Sequence, residues 1–148
     1  MIYFDSAYVA KFYLHEPGHA AVQSCAIEAG QVAICALALA EVNAVFHRKL
    51  REGSLTPDEA TIFYSEFDRD VQQGLWKLLP LTNSLLEQVA GAYRTLPATI
   101  YLRSADALHL ICAREHGFPE IHTNDRHVLT AAPHFGLKGV DVISHTPA

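Results

Sequence analysis

The strongest constraint on the fold is a rhythm of short apolar runs separated by longer helical stretches. The runs cover residues 2–4, 32–35, 75–79, 120–123 and 140–143. Between them, residues 6–14, 19–29, 37–51, 57–74, 82–96, 104–116 and 126–134 carry apolar positions at helical spacing or helix boundary signals. Pro17–Gly18 separates the first two helices, and Gly30, Gly53, Gly74 and Gly117 close others. Thr56 is placed to cap the fourth helix with Pro57 at its first position, and Ser104 to cap the sixth. The predicted order is β-α-α-β-α-α-β-α-α-β-α-β. Short apolar strands alternating with helices require a parallel sheet covered on both faces, an α/β fold.

The chain has 148 residues, of which 50% are hydrophobic and 18% charged, so it is expected to form one ordered domain over residues 1–148. The apolar start is cut short by Asp5 and has no basic stretch before it, so it does not read as a signal peptide. No apolar run approaches the roughly 20 residues needed to span a bilayer, so a membrane location is not expected. Cys25, Cys35 and Cys112 lie in apolar surroundings and read as free thiols in a reducing cytoplasm. The net charge of −5 counts against a module that holds nucleic acid by backbone electrostatics alone. It counts less against a nuclease whose acidic site is neutralised by divalent cations.

In a parallel α/β sheet, ligands bind beyond the carboxyl ends of the strands. Asp5 and Asp125 both stand there, directly after predicted strands. Each also has a plain structural use as a helix cap, and Asp106, in the first turn of its helix, would favour the helix dipole. Glu41 has less structural excuse. It stacks with Leu37 and Val45, beside the apolar stripe Val42, Val45 and Phe46, where a carboxylate must reach solvent or meet a partner. Carboxylates converging on one cleft repel each other, and Mg²⁺ or Mn²⁺ relieves the repulsion.

The acids stand in recognisable surroundings. The opening, with Asp5, Ser6 and Lys11, resembles that of PIN-domain ribonucleases of the VapC toxin type. Ala40-Glu41-Val42 is similar to that family's second acidic motif, Leu102-Arg-Ser-Ala-Asp106-Ala-Leu-His-Leu110 to its third, and His122-Thr-Asn-Asp125-Arg126 to its fourth. The resemblance runs from Met1 to about Ile143. It implies a PIN-like three-layer α/β/α sandwich with a short, mainly parallel central sheet. It also implies an endoribonuclease using Mg²⁺ or Mn²⁺ held by Asp5, Glu41, Asp106 and Asp125, with Ser6 and Thr123 orienting carboxylates. An RNA substrate, a cytoplasmic homodimer and a cognate antitoxin seated on an apolar groove near the first helices follow from the same resemblance. Ala7 stands where the family often has a second hydroxyl. Asn124 stands near the place of a fifth acid, which implies weaker binding of any second metal.

Lys11, Arg103 and Arg126 are candidates for contact with RNA phosphate. The run His47-Arg48-Lys49 with Arg51 reads first as a favourable charge cluster at a helix C-terminus. None of the nine histidines has zinc-site spacing. His109, one turn after Asp106, is either a site residue or a satisfied helix histidine. Phe12, Tyr13, Leu14, Phe63, Tyr64 and Phe67 are expected in the core, with part of the set forming a partner surface. Two other functions remain open at the level of sequence: a non-catalytic PIN-like module binding RNA or protein, and a structure-specific DNA nuclease of the same fold. The intact set of acids argues against the first, and the lack of a basic arm or added domain against the second.

Overall fold

The computed structural model describes residues 1–144. The elements follow the expected order: β1 (Ile2–Tyr3), α1 (Ser6–Tyr13), α2 (His19–Ala29), β2 (Val32–Cys35), α3 (Ala38–Arg51), α4 (Pro57–Gln73) and β3 (Trp76–Leu79). Then come α5 (Asn83–Thr95), α6 (Ser104–Glu115), β4 (Glu120–His122), α7 (Arg126–Ala131), a 3-10 turn (Ala132–Phe135) and β5 (Lys138–Val140). No helix among the described residues is long and apolar enough to cross a membrane.

Strand pairing is parallel throughout. β2 lies between β1 and β3, and β4 pairs with β5. A bridge between Phe4 and His122 joins the two groups, with the Asp5 amide donating to the His122 carbonyl at 3.2 Å. The spatial order is therefore β3-β2-β1-β4-β5. The chain moves outward from β1 in one direction, then returns to start β4 on its other side. The seam between β1 and β4 is thus the point where strand order reverses, the place where open α/β sheets bind ligands.

Residue alternation along the strands sorts the core into two layers. Tyr3, Ala33, Cys35 and Leu79 face Leu85 and Val89 of α5, the buried side of α6, and Val128 and Ala131 of α7. Phe4, Val32, Ile34 and Trp76 face Tyr8, Val9 and Tyr13 of α1, Val22 of α2, Phe46 of α3 and Phe67 of α4. The result is the expected three-layer α/β/α sandwich. Tyr13 ties the second layer together: its hydroxyl donates to Asp70 at 2.7 Å and accepts the Trp76 indole N–H at 2.7 Å. Tyr13, Leu14 and Phe67 are buried, while Phe12, Phe63 and Tyr64 are partly buried against the same layer. All three cysteines are free thiols.

The two capping residues expected from the sequence, Thr56 and Ser104, fare differently. Thr56 and Glu59 form a reciprocal capping box, and Pro57 opens α4. Ser104, by contrast, does not cap α6. It is the first helical residue; Arg103 holds the cap position with extended backbone, and its side chain reaches Asp106 instead.

The last strand also differs from expectation. It spans Lys138–Val140, not 140–143, in register with Glu120–His122. An edge strand with one exposed lysine and a glycine carries no apolar run to read. Gly139 is required there because a Cβ would meet the Leu129 side chain of α7 at 2.8 Å. Beyond it, Asp141 accepts the Tyr8 hydroxyl at 2.8 Å and the Ile143 amide at 2.9 Å, which turns the chain onto the second layer.

Phe4 is fully buried at the seam, ringed by Tyr8, Trp76 and His122. Phe4→Ala is expected to lower stability in urea denaturation by about 3–5 kcal/mol. A loss under about 1 kcal/mol would show that the seam is not a packed junction.

Candidate active site

Four acids from four separate segments open on one cleft of about 420 Å³ at the seam. Its lining includes Asp5, Ser6, Ala7, Glu41, Arg48, Arg103, Asp106, His109 and Asp125. The structure therefore gathers all four acids singled out in the sequence.

Each acid is placed by ordinary local chemistry. Asp5 caps α1, accepting the Tyr8 amide at 2.9 Å, and its other oxygen accepts the Thr123 hydroxyl. Asp125 caps α7, accepting the amides of His127 at 2.7 Å and Val128 at 3.4 Å. Thr123 links the two, since its oxygen also accepts the Asp125 amide at 2.9 Å. Asp5 and Asp125 are both helix caps, and a cap that follows a parallel strand brings its carboxylate to the cleft at the seam. Asp106 lies in the first turn of α6, and Glu41 in the first turn of α3.

Glu41 meets a partner, as its place beside an apolar stripe demands. Its Oε2 accepts a hydrogen bond from the Ser6 hydroxyl and lies 2.7 Å from His109 Nε2. His109 is 2% exposed; its Nδ1 lies 3.0 Å from the Tyr3 hydroxyl, and its Nε2 also lies 2.9 Å from Ser6 Oγ. Burial works to raise the Glu41 carboxyl, but the His109 hydrogen bond and charge, with help from Ser6 and Arg103, hold it below the usual range. Burial likewise works to lower His109, and Glu41 wins there too, raising it.

Asp5 is the opposite case. Burial pushes its carboxyl up to about 6 against the opposing hydrogen bonds from Thr123 and Tyr8. Among the described residues no cationic side chain hydrogen-bonds to it, and the charge of His109 favours its ionised form only from a distance. Its charge is the least compensated in the cleft.

Arg103 supplies the positive charge on the outer side. Its guanidinium donates to Asp106 at 2.8 and 3.4 Å and to Asp125 at 3.1 Å. Those bonds, with Asp106 first, raise its own basicity. As arranged, no three Asp, Glu, His or Cys side chains among the described residues are grouped tightly enough to share one ion. The physical reason is visible: Arg103 stands between Asp106 and Asp125, while His109 draws Glu41 toward the interior. The donor set is nevertheless the kind that hard divalent cations take, carboxylate oxygen only. The guanidinium already marks the space between two of the carboxylates as a place for positive charge.

The other basic candidates separate. Lys11 is occupied, donating to Glu16 at 2.8 Å and to the Pro17 carbonyl, with its side chain 13% exposed. Arg126 is exposed and does not line the cleft. Arg48, which reads in sequence as part of a helix-end charge cluster, does line it, and its nearest acidic group is Glu52 at 3.9 Å. The sequence alone does not single out Arg48 as a site residue and leaves His109 open, yet a spacing signal marks both. Arg48 follows Glu41 by seven residues and His109 follows Asp106 by three, so each shares a helix face with an acid.

A larger cavity of about 630 Å³ lies elsewhere, lined by the apolar Leu14, Leu55, Ile62 and Phe63 and by charged residues that include Lys49 and Glu59. It contains none of the four acids.

The PIN domain family model matches residues 2–132. No curated protein matches the chain. Among solved structures, FitAB bound to the IR36 DNA fragment has a TM-score of 0.71 at 14% identity, covering 100% of this chain and 99% of its own. FitAcB from Neisseria gonorrhoeae gives 0.71 at 14%, covering 99% and 100%. VapC20 of Mycobacterium tuberculosis, a sarcin-ricin loop cleaving toxin, gives 0.67 at 15%, covering 88% and 95%. At these identities the likeness is one of fold.

The raised Asp5 carboxyl has a signed consequence. Its charged form is disfavoured in the fold, so its cost is absent near pH 4, grows as pH rises, and is complete above about pH 6. Asparagine can accept from the Tyr8 amide and donate to Thr123 without that cost. In EDTA, Asp5→Asn is expected to match the parent near pH 4 and to exceed its stability by about 1–3 kcal/mol at pH 7. A gap that does not change with pH would contradict the assignment.

Proposed function

Since the chain belongs to the PIN domain family, we propose that it is an endoribonuclease dependent on Mg²⁺ or Mn²⁺ and the toxin of a toxin–antitoxin pair. One observation carries this reading: four carboxylates from β1, α3, α6 and the end of β4 open on a single cleft at the switch point of the sheet. Asp5, Glu41, Asp106 and Asp125 would hold the cation. Such a cation supplies a polarised water for attack on the phosphodiester and offsets the charge that develops on it. The fold likeness to VapC20, a sarcin-ricin loop cleaving toxin, agrees with the choice of RNA as the substrate.

The chain's own residues divide the remaining work. Thr123 fixes Asp5 and the Asp125 backbone relative to one another. Ser6 orients Glu41. Arg103 and Arg48, on the cleft wall, suit the oxygens of a phosphodiester, and Arg103's planar fork suits them best. Lys11 steadies the turn after α1 through Glu16 and Pro17 rather than touching RNA. Arg126 is assigned no role at the reacting centre. The cavity between the end of α1 and α4, whose apolar residues Leu14, Leu55, Ile62 and Phe63 are ringed by charged and polar ones, is the surface assigned to the antitoxin. A cytoplasmic homodimer and a single domain over residues 1–148 complete the proposal. The alternative of a non-catalytic module is disfavoured because no acid of the set is missing.

Purified protein freed of any partner is expected to cleave RNA with Mg²⁺ or Mn²⁺ and to stop when EDTA is added. Glu41→Gln should lower kcat/KM at least about 100-fold, beyond the usual effect of losing an outer-shell contact. A folded Glu41→Gln protein that cleaves at the parent rate would overturn the assignment.

A further inference from the structure

We infer that His109 is a positioning residue that holds the Glu41 carboxylate for cation binding, and that Tyr3 holds His109. The inference rests on the metal-site reading above and adds two residues to it.

The geometry is a buried polar chain running from the sheet to the cleft. Tyr3, in β1, is fully buried, and its hydroxyl lies 3.0 Å from His109 Nδ1. His109 Nε2 lies 2.7 Å from Glu41 Oε2 and 2.9 Å from Ser6 Oγ. A phenol keeps its proton at neutral pH and can donate it. When the imidazole is neutral, the phenol donates to Nδ1, and this places the ring proton on Nε2, facing Glu41. When the imidazole is charged, Nε2 carries a proton as well. In both forms His109 is a donor to Glu41 Oε2, and the tautomer is set by the partner on the far nitrogen.

The same oxygen also accepts from Ser6. Two donors on Oε2 leave Oε1 without a hydrogen bond from the described residues, on a side chain that is 28% exposed and lines the cleft. His109 cannot itself ligate without breaking its chain, since both nitrogens are engaged and the ring is 2% exposed. Its work is therefore exerted through Glu41. Without it, Ser6 alone would hold a glutamate beside Val42, Val45 and Phe46 against turning toward solvent.

The test measures Mn²⁺ binding by calorimetry on the purified, partner-free chain, with folding checked by urea denaturation. The parent should bind Mn²⁺. His109→Phe should bind about 10–100-fold more weakly, the usual cost of losing an outer-shell contact. The amide of His109→Gln reaches the Nε2 position and should restore most of the affinity. The amide of His109→Asn ends near the Nδ1 position; it keeps Tyr3 but not Glu41 and should not restore it. Tyr3→Phe, which keeps the ring packed on Phe118, should weaken binding by less than His109→Phe. If His109→Phe fails to fold, the contrast between Gln and Asn decides. Should the parent bind Mn²⁺ while the folded His109 variants all bind it as tightly, His109 has no positioning role and the inference alone falls. Should the parent bind no Mn²⁺, the metal-site reading falls and takes the inference with it.

Discussion

Everything at the site depends on placing a carboxylate where water is nearly absent. Asp5 follows a two-residue strand, caps the next helix, and is 5% exposed at the seam between β1 and β4. The backbone bond from Asp5 to His122 closes the seam, and the Thr123 hydroxyl reaches across it to the same residue. Two hydrogen bonds do not repay the lost hydration of a charge, which is why burial dominates its titration. A fold built only for stability would put a neutral residue here. A carboxylate kept at that position makes sense when positive charge arrives to meet it.

The surrounding charges form two tiers. On the inner side, Glu41 is compensated by His109 and Ser6, a pairing that both partners feel in the expected directions. On the outer side, Asp106 and Asp125 share the guanidinium of Arg103. Asp5 feels both tiers, the charge of His109 favouring its ionised form and that of Asp106 opposing it, and no cation among the described residues bonds to it. The cleft thus carries counter-charges bonded to three of its carboxylates, while Asp5 feels that of His109 only without a direct bond. A divalent cation would have to compete with Arg103 for the outer pair, and Arg103, once released, would remain on the cleft wall beside the substrate.

Most of the architecture was legible in the sequence because its signals are local. Apolar runs after Gly or before Asp gave the strands, and helical spacing with the Thr56 box gave the helices. The failures were local too. Lys138 and Gly139 hide β5, since an edge strand needs backbone pairing and close approach to α7 more than apolar side chains. Ser104 resembled a cap, yet the residue before it holds that position and uses its side chain on Asp106. At the site, the four acids were legible individually and through the family-like motifs around them. Their partners were less so. His109 and Arg48 belong to the cleft because helices α6 and α3 turn those faces toward it, and that depends on packing between distant segments. Lys11 looked like a phosphate contact until Glu16, five residues on, folded back to meet it.

The most direct test of the central claim is a crystal of the partner-free chain soaked in Mn²⁺ and measured for anomalous scattering. The account predicts a peak in the cleft bounded by Asp5, Glu41, Asp106 and Asp125, with Arg103 displaced from the Asp106–Asp125 pair. Well-ordered crystals at saturating Mn²⁺ with no peak in that cleft, and Arg103 still bridging the two aspartates, would contradict it.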